Sequence, residues 1–313
     1  MTVSWSDDEE LMARVSWYYY EEGMTQAEIG EKLGFSRSKV VRLLARARDE
    51  GIVKVSITRS ACIEKEKRLK DIFDLREAIV VPSADDLEAT KHAVGKAAVQ
   101  YLEKILRNGD VIGVSWGTTV YEVGKQIHFN KFKDLTVIQL IGGMNAGQEL
   151  NPQEIVKLIA SKLGARGLWL NTPAVVESPE IKKALLTESS IRQVIETAKN
   201  CRIALLGVGD LGPSSSLLIG GSLSDRDMKM LKALGAVGDV MGCHFDIEGK
   251  PVKSELSERI ISFALENLRY ISIRIGVACG DNKVEPLVGA LRGKHINVTI
   301  TDENTAEKVL NYH

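Results

Sequence analysis

The sequence predicts an α/β protein in two parts, an N-terminal helix-turn-helix followed by a doubly wound, mostly parallel sheet. Three observations carry this. Residues Thr25 to Arg48 read TQAEIGEKLGFSRSKVVRLLARAR, two amphipathic helical windows around one glycine. From Glu77 onward, short apolar runs alternate with amphipathic helical windows, the pattern of parallel strands covered on both faces. At 313 residues the chain is long for a single domain. The division falls near residue 60: residues 1–60 form the helix-turn-helix domain and residues 61–313 the sheet domain, with 61–76 as a linker helix.

The first predicted helix runs from Asp7 to Glu22, behind an acidic lead-in at Ser6 to Glu10, with Leu11, Val15 and Tyr18 or Tyr19 facing the turn motif. Thr25 and Glu28 then stand three apart, a capping box that opens the second helix. Ala27, Ile29 and Leu33 supply its apolar face. Gly34 permits a sharp turn and Phe35 plugs the core beneath it. Ser36 caps a third helix whose buried stripe is Val40, Leu43, Leu44 and Ala47, ended by Gly51.

Charge separates this motif from two packed helices. From Ser36 to Arg48 the chain carries Arg37, Lys39, Arg42, Arg46 and Arg48 and no acid, whereas its net charge is -1. Overall basicity is therefore excluded as a way to coat nucleic acid, and any DNA contact is a local patch. A recognition helix sets its N-terminal side chains on major-groove base edges. Arg37, Ser38, Lys39 and Arg42 lie on the exposed side of the first turns, with Arg suited to guanine and Lys to base or phosphate. Thr25, Gln26, Ser36 and Arg46 complete the candidate interface.

Beyond Gly51, the run Ile52, Val53, Val55 and Ile57 reads as a small wing or an extended connector. Ile63, Leu69, Ile72 and Phe73 follow with helical spacing, an apolar seam suited to a dimer contact. Predicted strands are Ala78–Val81, Val111–Val114, Leu135–Ile141, Gly167–Leu170, Ile203–Val208, Ile271–Ala278 and Ile296–Ile300. Helices between them are Lys91–Leu106, Thr119–Ile127, Gln153–Leu163, Ile181–Leu185, Ile191–Ala198, Ser224–Leu234, Ser257–Leu268 and Val284–Leu291.

The composition, 44% hydrophobic and 27% charged, suits a soluble globular protein. Cys62, Cys201, Cys243 and Cys279 are scattered, without CxxC or zinc spacing, and read as reduced core residues of a cytoplasmic protein. The histidines show no metal-ligand spacing, so neither metal nor cofactor is expected. No leader and no long uncharged apolar run is visible, so a membrane partner is not expected either.

Doubly wound sheets bind ligands at the carboxyl ends of their strands. Four glycine-bearing turns fall there. Ser115-Trp116-Gly117-Thr118-Thr119 offers hydroxyls and helix-starting amides to a phosphate. Gly142-Gly143 and Gly207-Val208-Gly209 close two further strands, and Lys283 follows a fourth turn with a point charge. Glycine turns also end parallel strands for steric reasons alone, so the argument rests on their convergence in one crevice. Asp239 beside Gly238 is read as a sugar-hydroxyl ligand and Asp246 as a turn former. Phe245 joins the candidate site. Trp116 is read either as a stacking platform for a sugar or as core, and His244 as structural.

The layout resembles the SorC family of bacterial sugar-operon regulators, which includes the deoxyribonucleoside regulator. The resemblance spans nearly the whole chain. It is carried by MTQAEIGEKLGFSRSKVVRLLARARDEGIV, GVSWGTTVYEV, QLIGG, LGVGDLG, AVGDVMGCHFD, GVACGDNKVEPLVGALRG and TDENTAEKVL. It implies a C-terminal effector domain resembling phosphosugar isomerases and glucosamine-6-phosphate deaminases, one that binds a phosphorylated sugar and controls a tetramer on operator DNA. By the same resemblance, Ser115, Gly117, Thr118, Thr119 and Lys283 match the phosphate elements. Three places depart from it. Gly209-Asp210-Leu211-Gly212-Pro213 lacks the Asp-Gly-His segment of the deaminases; Ile141 stands where the deoxyribose-phosphate-responsive regulator has a Schiff-base lysine; Val41 replaces a recognition-helix serine.

The expectation is a regulator, not an enzyme: a DNA-binding protein of a carbohydrate catabolic operon, gated by a phosphorylated sugar. Its expected partners are double-stranded operator DNA, the sugar phosphate and further copies of itself, as a tetramer built from dimers. The alternatives are a phosphosugar isomerase- or deaminase-like enzyme with a DNA-binding appendage, and an architectural DNA-binding oligomer.

Overall fold

The computed structural model describes residues 7–53, 60–144, 151–213, 215–221 and 223–312. The chain divides into two compact units, Met1–Thr58 and Arg59–His313.

The first unit is three helices, α1 (Asp7–Tyr20), α2 (Gln26–Leu33) and α3 (Arg37–Asp49). Thr25 caps α2 through a reciprocal capping box with Glu28. Gly34 sits at φ 70°, left-handed backbone that a Cβ disfavours, so the chain turns there within a few residues. Ser36 then accepts the Lys39 amide and starts α3. Met12, Val15, Ile29, Val40, Leu43 and Ala47 are buried together, with Phe35 packed against them. Ala27 departs from the sequence reading, because it is exposed. The α2 face is narrower than its spacing suggested, and Tyr18 takes the inward place on α1. Ile52 and Val53 pack on this core without forming a strand, and Val55 and Ile57 of the expected wing lie outside the described residues.

The second unit opens with α4 (Ser60–Phe73), followed by β1 (Glu77–Val81), α5 (Leu87–Ile105), β2 (Val111–Val114), α6 (Thr118–Gln126), β3 (Thr136–Gln139), α7 (Pro152–Leu163) and β4 (Arg166–Leu168). Next come α8 (Pro179–Thr187), α9 (Ser189–Ala198), β5 (Ile203–Gly207), β6 (Gly209–Asp210), α10 (Ser216–Ile219), α11 (Asp225–Ala233), β7 (Gly238–Val240) and β8 (Cys243–Phe245). β9 (Ile273–Val277), α12 (Val284–Arg292), β10 (Val298–Asp302) and α13 (Glu303–Leu310) complete it. The main sheet has the order β1-β10-β9-β5-β2-β3-β4, and its strand pairs are all parallel. From β2 the chain winds outward through β3 and β4; from β5 it winds the other way through β9 and β10. The reversal between β2 and β5 opens a crevice at their carboxyl ends.

Several elements differ from the sequence reading. Ser257–Leu268 is not an α-helix: only its end enters a short 3-10 helix, Leu265–Tyr270. Gly142 donates to Ile261 O, while the Ile261 and Phe263 amides donate to Ala174 and Leu140, so residues 260–263 run extended between two neighbours. Ile260, Ile261 and Phe263 are all buried. β6, β7 and β8 form a small antiparallel sheet from glycine-rich segments that show no apolar run. α13 is an additional helix. Finally, α4 is bound to its own unit. Leu69 and Phe73 are buried in the main core, and Lys65 pairs with Glu303 and Glu307 at 3.1 and 3.2 Å. Ile63 and Ile72 alone of the expected seam are exposed.

Candidate functional site

In the first unit the candidate interface is the outer face of α3. Its inner face buries Val40, Leu43, Leu44 and Ala47, which forces residues 37, 38, 41, 42, 45 and 46 outward by helical period. Arg37, Ser38 and Arg42 are exposed, and neither arginine makes an ion pair among the described residues. Ser38 Oγ lies 3.0 Å from Ser36 Oγ, so the capping hydroxyl also steadies its neighbour. The Lys39 ammonium stands 3.7 Å from the centre of the Phe35 ring. Arg46 is already engaged: it bonds Glu50 at 2.9 Å and Asp8 at 3.1 Å, which ties α3 to α1. Thr25 is exposed and Gln26 half-buried at the start of α2.

In the second unit a cleft lies at the carboxyl ends of β2, β5 and β9. It is lined by Trp116, Gly117, Thr118 and Thr119 after β2, by Gly207, Val208 and Gly209 at β5 and β6, by Asp239 on β7, and by Val277 and Lys283 after β9; Ser215 and Leu217 close it. The space between the walls is about 410 Å³, part of it open to solvent. α6 starts at Thr118 with no side-chain cap from Gly117, and its first intrahelical bond is the Tyr121 amide to Gly117 O. The amides of Thr118, Thr119 and Val120 therefore have no intrahelical acceptor, the condition that favours an anion.

Two carboxylates frame Lys283. Its ammonium donates to Asp210 Oδ2 at 2.6 Å; Asn282 Nδ2 donates to the same oxygen at 2.8 Å, and the Gly212 amide to Oδ1 at 2.8 Å. Asp239 is 2% exposed, and its Oδ2 accepts the Gly242 amide at 2.8 Å. Burial pushes the Asp239 carboxyl up to about 6, with Asp210 raising it further and the Gly242 amide and Lys283 opposing. Gly209 is required beside it, because a Cβ there would collide with Oδ1 of Asp239.

Several residues expected in the site lie elsewhere. Ser115 is fully buried: its Oγ accepts the Gly207 amide at 2.9 Å and donates to Trp116 O, so the hydroxyl staples β2 to β5. Gly142 and Gly143 follow β3, one strand outside the crevice. Gly142 packs against the Pro173 backbone, and Gly143 bonds Thr172 and Ala174. Phe245 is fully buried, its ring 5.0 Å from that of His295. Trp116 does line the cleft, but it is 4% exposed, which favours its reading as core over a stacking platform. Asp246 accepts the Glu248 and Lys250 amides, as a turn former does. Asp210 was not singled out by sequence. Its signal was faint: an acid three residues beyond a strand-ending glycine, opposite a lysine known only from the fold.

Residues 58–311 match the Sugar-bind family of sugar-binding domains, and residues 15–50 match region 4 of sigma-70. The chain is 34% identical to the transcriptional regulator YjhU of Escherichia coli strain K12, over 97% of this chain and 95% of that protein. It is 30% identical to the deoxyribonucleoside regulator of Bacillus subtilis strain 168, over 97% and 98%. The full-length sorbitol operon regulator SorC from Klebsiella pneumoniae has the same fold, with a TM-score of 0.75, 28% identity and coverage of 97% and 99%. The chain belongs to the SorC family of sugar-responsive transcriptional regulators.

Like its relatives, this SorC-family chain joins a helix-turn-helix to a sugar-binding domain, and it is a transcriptional regulator. Among the described residues the cleft presents no histidine, and no group of acids, cysteines and histidines is arranged for a metal. No described helix is long and apolar enough to cross a membrane.

Proposed function

We propose that this regulator controls a carbohydrate catabolic operon and is gated by a phosphorylated sugar bound at the crevice between β2 and β5. The observation that carries the reading is the convergence of uncapped α6 amides, the hydroxyls of Thr118 and Thr119, and the Lys283 ammonium on one cleft. Together they supply a charge-assisted phosphate cradle. Asp239 would accept or donate to a sugar hydroxyl and set which sugar is taken.

In this proposal α3 enters the major groove, with Arg37, Ser38, Lys39 and Arg42 toward base edges. Thr25, Gln26, Ser36 and, once freed from Asp8, Arg46 meet phosphates. Symmetric half-sites call for a homo-oligomer, a tetramer of dimers, working in the cytoplasm without catalysis, cofactor or metal. The enzyme reading has little support, because the cleft offers no histidine to assist ring opening.

The test is operator titration with and without a panel of sugar phosphates and their unphosphorylated sugars, on the parent and on Lys283→Ala. The parent should respond only to phosphorylated members, and the variant should lose that response. A ligand shifts an equilibrium only through differential affinity, so a variant that still responds fully, or a parent that prefers the free sugar, would remove the phosphate from this account.

A further inference from the structure

The cleft is electrically adverse to the ligand proposed for it. Its walls hold one cation, Lys283, and one buried carboxylate, Asp239; a second buried carboxylate, Asp210, lies against Lys283 outside the lining, and each acid is under 5% exposed. The cation is engaged with one of those carboxylates, 2.6 Å from Asp210 Oδ2. A phosphate arriving at Lys283 therefore meets an occupied ammonium. Asp210 has no such dependence on Lys283. Its two oxygens also accept from the Gly212 amide and from Asn282 Nδ2, both neutral donors and both at 2.8 Å. If Lys283 turns away, Asp210 keeps two of these three partners and stays hydrogen-bonded.

We infer that Asp210 is the resident counter-ion of the effector site: it holds Lys283 against the cleft wall in the empty protein and gives it up to the incoming phosphate, so that only an anion able to replace a carboxylate binds. This rests on the proposed phosphate role of Lys283 and specifies how that site selects its ligand. An unphosphorylated sugar offers no charge in exchange for the ion pair, and a weak anion gains little, because the exchange is carboxylate for anion at constant ammonium. The empty site avoids an unpaired buried cation at the expense of affinity. Asp210 is thus a specificity-determining residue that acts through Lys283.

The experiment uses inorganic phosphate as the probe on the full-length chain, with affinity read by calorimetric titration. Asp210→Asn keeps the shape and the acceptor for the Gly212 amide while removing the competing charge. It should bind inorganic phosphate about tenfold more tightly than the parent. Asp210→Ser, smaller and neutral, should move affinity in the same direction, and thermal melts establish that each variant is folded. Affinity unchanged or weakened in folded Asp210→Asn and Asp210→Ser would overturn the inference, since Asp210 would then orient Lys283 and not compete for it. Lys283→Ala separates this from the underlying reading. If Lys283→Ala still binds phosphate like the parent, the phosphate site itself is misplaced; if Lys283→Ala loses phosphate but neutral residues at 210 give no gain, only the counter-ion role fails. Asp210→Asn combined with Lys283→Ala should bind phosphate no better than Lys283→Ala, and a tenfold gain persisting there would show that Asp210 acts on the anion without Lys283 and overturn the exchange.

Discussion

The outer face of α3 and the crevice at β2 and β5 use the same chemistry, cations meant for phosphate, in opposite surroundings. Arg37 and Arg42 stand in solvent without an ion pair among the described residues, while Lys283 is mostly buried and paired with Asp210. The first arrangement suits a long, regular polyanion met by many weakly positioned charges, where affinity is governed by counter-ion release and falls with salt. The second suits one small anion that must be told from a neutral analogue, which takes a desolvated cation with a fixed partner. Operator binding should therefore be steeply salt-dependent and effector binding weakly so.

The largest expected effect tests the same contrast in stability. Arg202 bonds Asp110 at 2.6 Å with side chains 25% and 7% exposed, at the amino ends of β5 and β2, whereas the Arg46 pairs with Asp8 and Glu50 are open to solvent. Arg202→Ala should cost about 3 kcal/mol, because it leaves the Asp110 charge buried and unpaired. Arg46→Ala should cost less than about 1 kcal/mol in the free protein and weaken operator binding evenly across sequences. Denaturant melts of both variants decide this; equal losses would erase the distinction between the two kinds of ion pair.

Operator affinity comes next. Arg37→Ala should cost about 1–3 kcal/mol and relax preference at one base position. A fluorescence titration against the operator and single-base variants checks it. Parent-like affinity and selectivity would mean that α3 is not the reading helix.

The two regions also differ in how far sequence alone reaches. The helix-turn-helix was legible almost residue by residue because its signals are local: a capping box at Thr25 and Glu28, a left-handed Gly34, a cap at Ser36 and a stripe of period 3.6. The parallel strands were legible for a related reason, since burial on both faces leaves continuous apolar runs. The crevice was legible as a place but not in its parts. Ser115 looked like a phosphate ligand because its hydroxyl sits in the right loop, yet only pairing of β2 with β5 shows that the Gly207 amide claims it. Gly142 and Gly143 end a strand like the others, and strand order alone sets β3 outside the crevice. Ser257–Leu268 has helical spacing, but its neighbours at Leu140, Gly142 and Ala174 hold residues 260–263 extended. Each miss is a non-local hydrogen bond overriding a local pattern.

A smaller effect probes the local signals. Ser36→Ala removes the acceptor of the Lys39 amide and should cost about 1 kcal/mol of stability in the first unit. Thermal melts monitored by helical circular dichroism check it. A loss beyond about 2 kcal/mol would mean that Ser36 also supports packing through its neighbour Ser38.

The smallest effect is one that should nearly vanish in the parent. Asp239 and His244 face each other across β7 and β8, both 2% exposed. Burial pushes Asp239 up from 3.8 to about 6 and His244 down from 6.5 to about 4. The folded protein therefore holds a proton on Asp239 that the unfolded chain has lost, so stability falls as pH rises from about 4 to 6. His244 has the opposite sign: the unfolded chain takes a proton that the fold resists, so stability falls as pH drops from about 6.5 to 4. The two slopes are of similar size, and parent stability should be almost flat across this window as far as this pair governs it. Asp239→Asn should leave a protein that loses stability toward pH 4, and His244→Phe one that loses it toward pH 6. Denaturant midpoints measured from pH 4 to 7 on the three proteins decide it. Parallel curves for both variants would show that the pair does not titrate, and slopes of the same sign would place one of the two groups in a wetter site than its burial describes.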